Sequence, residues 1–235
     1  MNTPIFRHLT FVLLGLGVAL VAADCQAAAV IYNNRAAWEA AVGPLSGVEN
    51  FNSFAADTTF INSVVPLNNM TVTGSSGFNG SQTQKIDALP LEFSGFYDLN
   101  GTPQLLGDLQ GSNQFVRVNF LTPVVSWGAD EAGLADVPRT TRIDIFSASN
   151  ALLGTIPATS PDNTSRGFYG FDLTSGAASY LVFTNPTNDN DVFGIDNVGF
   201  VKVPEPVGLA MMLGACLGAT RCVGVRRLRG RCEAR

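Results

Sequence analysis

The chain carries a single histidine, His8, so an enzyme built from the domain beyond it would have to work with carboxylates. That removes histidine-dependent serine and cysteine triads and histidine metal sites from the downstream sequence. The most suggestive run is Trp127-Gly-Ala-Asp-Glu-Ala-Gly133, where an aromatic residue leads into two adjacent acids. Trp127, Asp130 and Glu131 are therefore candidate ligand-binding residues, the ring to stack on a sugar and the carboxylates to accept its hydroxyls. The alternative for Trp127 is ordinary core packing. Asp130 and Glu131 are neighbours, so an extended strand sends them to opposite faces, and they make a poor carboxylate pair for glycoside hydrolysis. A second oxygen-rich stretch, Thr187-Asn-Asp-Asn-Asp-Val192, offers Asp189 and Asp191 as candidate calcium ligands. It lacks the glycine and distal glutamate of an EF-hand loop, and both acids read equally as turn formers.

The elements that must position these residues are short strands. From Val48 onward apolar residues come in brief runs separated by Gly, Asn, Asp, Ser and Pro, the pattern of an antiparallel β-sandwich. The clearest strands are predicted over 114–121, where Val116, Val118 and Phe120 alternate with Arg117 and Asn119, and over 141–146, where Ile143 and Ile145 alternate with Arg142 and Asp144. Each has one buried and one wet face. Further strands are expected at 30–32, 48–54, 70–73, 91–93, 124–128, 152–156, 167–172, 179–184 and 193–201. One helix is expected over 35–42, capped by Asn34 and ended by Gly43 and Pro44. Ser149-Asn150 and Thr174-Ser175-Gly176 read as hairpin turns, and 73–84 as a long exposed loop.

Charge and cysteine divide the chain into three parts. Residues 30–203 hold sixteen acids against seven bases, although the whole chain has a net charge of only −5. Nucleic acid is thus an unsuitable partner. All four cysteines lie outside that region, at Cys25, Cys216, Cys222 and Cys232, so the domain is built without a disulfide. Residues 1–29 read as a secretory signal peptide, with Arg7 and His8 before an apolar run and small residues around Ala27 and Ala29. Residues 30–202 then form one sandwich domain. Residues 203–235 carry a Val203-Pro204-Glu205-Pro206 motif, a 207–225 segment and an Arg-rich tail at 226–235. A helix over 207–225 would be about 28 Å long at ~1.5 Å per residue, marginally enough to span a bilayer. The arginines would hold its end in the cytoplasm, leaving the domain on the far side.

The order motif, apolar segment and basic tail resembles the sorting signal of the PEP-CTERM proteins of Gram-negative bacteria. The resemblance implies an exported precursor, transiently anchored in the inner membrane and then processed by an exosortase-like enzyme that reads Val203, Pro204, Glu205 and Pro206. It ends at the cell surface or in the extracellular matrix of a biofilm. Phe146-Ser-Ala-Ser-Asn-Ala-Leu-Leu-Gly154, Gly167-Phe-Tyr-Gly-Phe171 and Phe193-Gly-Ile-Asp-Asn-Val-Gly-Phe200 are similar to the later strands of the jelly-roll domains of such proteins. That likeness implies a structural calcium ion held by an early acid and a late aspartate, in the places of Glu49 and Asp196. The expectation is a non-catalytic surface or matrix component. A lectin-like module for extracellular polysaccharide is the alternative, with a carboxylate-dependent glycoside hydrolase behind it.

Overall fold

In the computed structural model the described residues are 28–75, 84–91, 99–110, 113–134, 141–157, 166–187 and 190–204. The signal-peptide run, Asp189, Glu205, Pro206, the 207–225 segment and the basic tail lie outside them. No helix among the described residues is long and apolar enough to cross a membrane.

The fold is mainly antiparallel β with one short helix. Its strands are β1 (Ala29–Tyr32), β2 (Gly47–Glu49), β3 (Thr58–Thr59), β4 (Val65–Leu67), β5 (Met70–Gly74), β6 (Lys85–Asp87), β7 (Gln104–Gln110), β8 (Phe115–Ala132), β9 (Arg142–Phe146), β10 (Leu152–Pro157), β11 (Arg166–Leu173), β12 (Ala178–Thr184) and β13 (Asn190–Lys202). The helix α1 spans Arg35–Val42. Its start and stop are local chemistry: the Asn34 side chain accepts from Ala37 N–H at 3.0 Å, and Gly43 closes it at a φ of 72°.

The strands form one hydrogen-bonded network folded into two layers, and β8 is what joins them. Its 18 residues replace the two separate strands expected at 114–121 and 124–128. The first half pairs with β12 and β5, the second with β11 and β13. Pro123 sits where the strand changes partners, a place where no ladder needs its missing N–H. The first layer runs β10-β9-β12-β8-β5-β4, and the second runs β1-β11-β8-β13, continuing through β2 and through β7-β6-β3. Between them Val116, Val118, Ile145, Leu181 and Phe183 meet Trp127, Phe171, Phe193, Ile195 and Phe200 in one core. Phe183 and Phe193 stack across it with ring centroids 5.6 Å apart.

Several expectations are corrected. Thr174-Ser175-Gly176 is a corner between layers rather than a hairpin turn, because β11 pairs with β8 and β1 while β12 pairs with β9 and β8. The strand expected at 48–54 stops at Glu49, where Phe51 adopts a φ of 55°. Leu91 lies outside any strand and 92–98 lies outside the described residues. β6 and β7 were not expected at all. Ser149-Asn150 does turn the β9–β10 hairpin, with Asn150 at a φ of 63°.

Helix α1 covers the outer face of the second layer. The Trp38 ring is fully buried, donates from Nε1 to Phe171 O at 3.2 Å, and lies against Phe168. Across this layer one rung reads Val30, Asp172, Ser126, Val201. β1 begins at that rung and β13, running the opposite way, ends at it. Three strand spacings separate them, about 14 Å at ~4.8 Å each. Val203 continues the tether by donating its N–H to Pro123 O at 3.0 Å.

Candidate functional site

The three residues of the aromatic-acid run are separated by the pleat. Trp127 points into the core at 2% exposure, with ring centroids 6.3 Å from Phe171 and 6.2 Å from Phe183. A ring enclosed on its faces cannot stack on a sugar, so Trp127 is a packing residue and not a platform. Asp130 stands opposite Phe168 and Asp196, whereas Glu131 stands opposite Gly167 and Ile195, on the other face. Asp130 accepts from Arg35 Nε at 2.9 Å and from Asn197 Nδ2 at 3.1 Å, and Arg35 also donates to Asn197 O at 2.7 Å. The Arg35 guanidinium lies 4.8 Å from the Phe168 ring centre. This cluster clamps the first turn of α1 onto the bulge at Asn197, whose φ is 51°. Glu131 is buried and accepts from Leu134 N–H at 3.1 Å, closing the turn after β8.

Of the expected calcium ligands, the three that are described, Glu49, Asp191 and Asp196, do not come together. Glu49 is opposite Val198, which packs in the core, while Asp196 is opposite Asp130 on the helix-covered face. The bulge at Asn197 is what puts them on different faces. Glu49 accepts from Phe51 N–H and Asn68 N–H, each at 2.7 Å. Asp196 accepts from Asn197 N–H at 2.7 Å and Thr102 Oγ1 at 3.0 Å. Burial pushes the Asp196 carboxyl above its ordinary value, and the Asp130 charge adds to the rise against hydrogen bonds from Asn197, Thr102 and Asn100. Asp191 shares the core-facing side of β13 with Phe193 and accepts from the Thr141 hydroxyl. Calcium takes about six to eight oxygens, and among the described residues no three acid, cysteine or histidine side chains gather at one point.

A different surface brings together residues that the two clearest strand patterns had already marked as wet. On the outer face of the first layer one rung reads Thr71, Asn119, Tyr180, Phe146, and the next reads Thr73, Arg117, Val182, Asp144, Thr155. Phe146 and Tyr180 stack with centroids 4.9 Å apart and planes inclined by 14°. The Arg117 guanidinium lies 3.8 Å from the Tyr180 ring centre. Its Nε donates to Asn119 Oδ1 at 2.7 Å, and the Tyr180 hydroxyl donates to Asn150 Oδ1 at 2.9 Å. Asp144 accepts from Arg142 Nε at 3.0 Å and Thr155 Oγ1 at 2.7 Å. The result is a fixed, half-buried stack of two rings and a cation, bordered by hydroxyls and amides. Tyr180 was missed as a site residue from sequence, although Leu181 and Phe183 pointing inward dictate that it points outward.

No protein-family model and no curated protein matches the chain. Among solved structures the chain is similar to the CBM32 module of AlyQ in complex with 4,5-unsaturated mannuronic acid, at 16% identity over 56% of this chain and 94% of that one, with a TM-score of 0.32. It is also similar to the K1 cleaved adhesin domain of Lys-gingipain from Porphyromonas gingivalis W83, at 13% identity over 68% of this chain and 99% of that one, with a TM-score of 0.41. A third is the enzymatically active domain of tailspike protein 4 of bacteriophage CBA120, at 11% identity over 73% of this chain and 21% of that one, with a TM-score of 0.32.

Proposed function

We propose that the protein is an exported, non-catalytic, jelly-roll-like sandwich that binds extracellular polysaccharide on the outer face of its β10-β9-β12-β8-β5 layer. The observation that carries this reading is the stack of Phe146, Tyr180 and Arg117, a preorganised group of rings and donors on a sheet face that also carries Thr71, Thr73, Asn119 and Thr155. Glycan hydroxyls pair well with such amides and hydroxyls, and rigid side chains lose little entropy on binding. A hydrolase is disfavoured because Asp130 and Glu131 face opposite ways and each already accepts protein hydrogen bonds. Catalytic turnover of a glycan or ester by the purified protein, abolished by changing a carboxylate, would overturn the non-catalytic part.

Binding is tested by glycan array and affinity electrophoresis. Tyr180→Ala removes the support under both Phe146 and Arg117 and is expected to weaken retention about tenfold or more, a loss of ~1.4 kcal/mol, with melting still cooperative. A purely structural matrix protein shows no saturable glycan binding, and that result sinks the reading. Delivery rests on the sequence: signal peptide, Val203-Pro204-Glu205-Pro206 motif, apolar segment and basic tail together suit a transient inner-membrane anchor cut by an exosortase-like enzyme, with the product at the cell surface or in the matrix. Glu205→Ala should then accumulate as uncleaved membrane precursor, and normal processing of that variant contradicts the assignment.

A further inference from the structure

We infer that the polysaccharide taken by this face is acidic, and that Arg117 binds the carboxylate of a uronate residue. The inference rests on the glycan-binding reading above and specifies its ligand. Acids outnumber bases sixteen to seven over residues 30–203, and three of the described bases sit against an acid, while Lys202 lies over the Phe200 ring at the end of β13. Arg35 pairs with Asp130 at 2.9 Å, Lys85 with Asp57 at 2.6 Å and Asp87 at 3.2 Å, and Arg142 with Asp144 at 3.0 Å. Arg117 makes no ion pair with a described residue; it rests on the Tyr180 ring and gives only its Nε hydrogen to Asn119. The register neighbours on its own rung are Thr73 and Val182, both uncharged. Asp144, one strand further, is already paired with Arg142 and accepts a hydrogen bond from Thr155. The face therefore keeps a local positive charge within an acidic domain.

The chemistry of that charge selects its partner. A guanidinium presents its terminal nitrogens as a planar fork that fits a carboxylate with two parallel hydrogen bonds. Here the plane is held by the aromatic ring and the inner nitrogen is fixed by Asn119, so the terminal nitrogens are left for a ligand without rearrangement. Threonine hydroxyls at 71 and 73 border the same spot and suit the sugar hydroxyls next to a uronate carboxyl. The remaining acids of the domain repel a polyanion at long range, but salt near 0.15 M screens charges beyond about 8 Å and leaves the contact at Arg117.

The test is affinity electrophoresis of the full chain in detergent, near 0.15 M salt, through gels holding polygalacturonate or alginate beside the same polymers with their carboxyl groups reduced to alcohols. Binding to a uronate polymer is expected to exceed binding to its reduced form at least tenfold. Arg117→Gln should bring uronate binding down to the reduced-polymer level with melting unchanged, and Arg117→Lys, which keeps charge but not the fork, should fall between. Equal retention by native and reduced polymers overturns the acidic ligand while the glycan reading stands. Retention by neither, with no neutral glycan bound on the array, removes both. Undiminished uronate binding by Arg117→Gln overturns the role of Arg117.

Discussion

A buried carboxylate is tolerated where N–H and O–H donors replace the water it has lost. Glu49 has two such donors, the backbone N–H groups of Phe51 and Asn68, and Asp196 has three, Asn197 N–H, the Thr102 hydroxyl and the Asn100 side chain. These bonds tie down the chain after β2 and the bulge of β13. Melting of the protein is therefore expected to be the same with a calcium chelator and with added calcium. A Tm that falls on chelation and recovers with calcium would show that residues outside the described ones, Asp189 among them, complete a cage. At a calcium concentration ~100 times its Kd such a site would contribute about 2.7 kcal/mol.

At the scale of elements, α1 sits close on the second layer. Gly128 lies beneath the helix, where a Cβ would collide with the tip of the Phe168 ring and come 3.2 Å from Trp38 Cδ2. Gly128→Ala must push the helix off the sheet or tilt both rings, and it is expected to cost about 1–3 kcal/mol in denaturant unfolding. An unchanged midpoint would show that the helix moves freely. The helix itself was legible because its signals are local: Asn34, the apolar Trp38 and Gly43 lie within a few residues of one another. β8 was not legible as one strand, since Thr122-Pro123 reads as a break and only the partners on either side keep the chain extended. β6 and β7 were hidden for another reason. Lys85, Asp87, Gln104 and Asp108 are polar yet buried, so the alternation that reveals a half-wet strand is missing. The binding face shows the same divide. Arg117, Asn119 and Arg142 were recognisably wet in sequence, whereas Asp144, expected to be wet, is buried beneath its partners, and that β12 lies between these strands and supplies Tyr180 is a fact of long-range pairing.

For the whole molecule, the rung of Val30, Asp172, Ser126 and Val201 places the first and last described strands side by side in space but for β11 and β8. The gap of about 14 Å can be bridged by roughly five extended residues at ~3.3 Å each. The linear order of the strands is then incidental to the fold. A circular permutant that joins Lys202 to Ala29 through a flexible linker of about eight Gly and Ser residues, and opens the chain between Ser175 and Gly176 at the exposed corner, should melt in one cooperative transition and keep the Tyr180 face intact. Failure of that ring-closed chain to fold would mean that the order of strand addition, and not only the final pairing, is needed to assemble the sandwich.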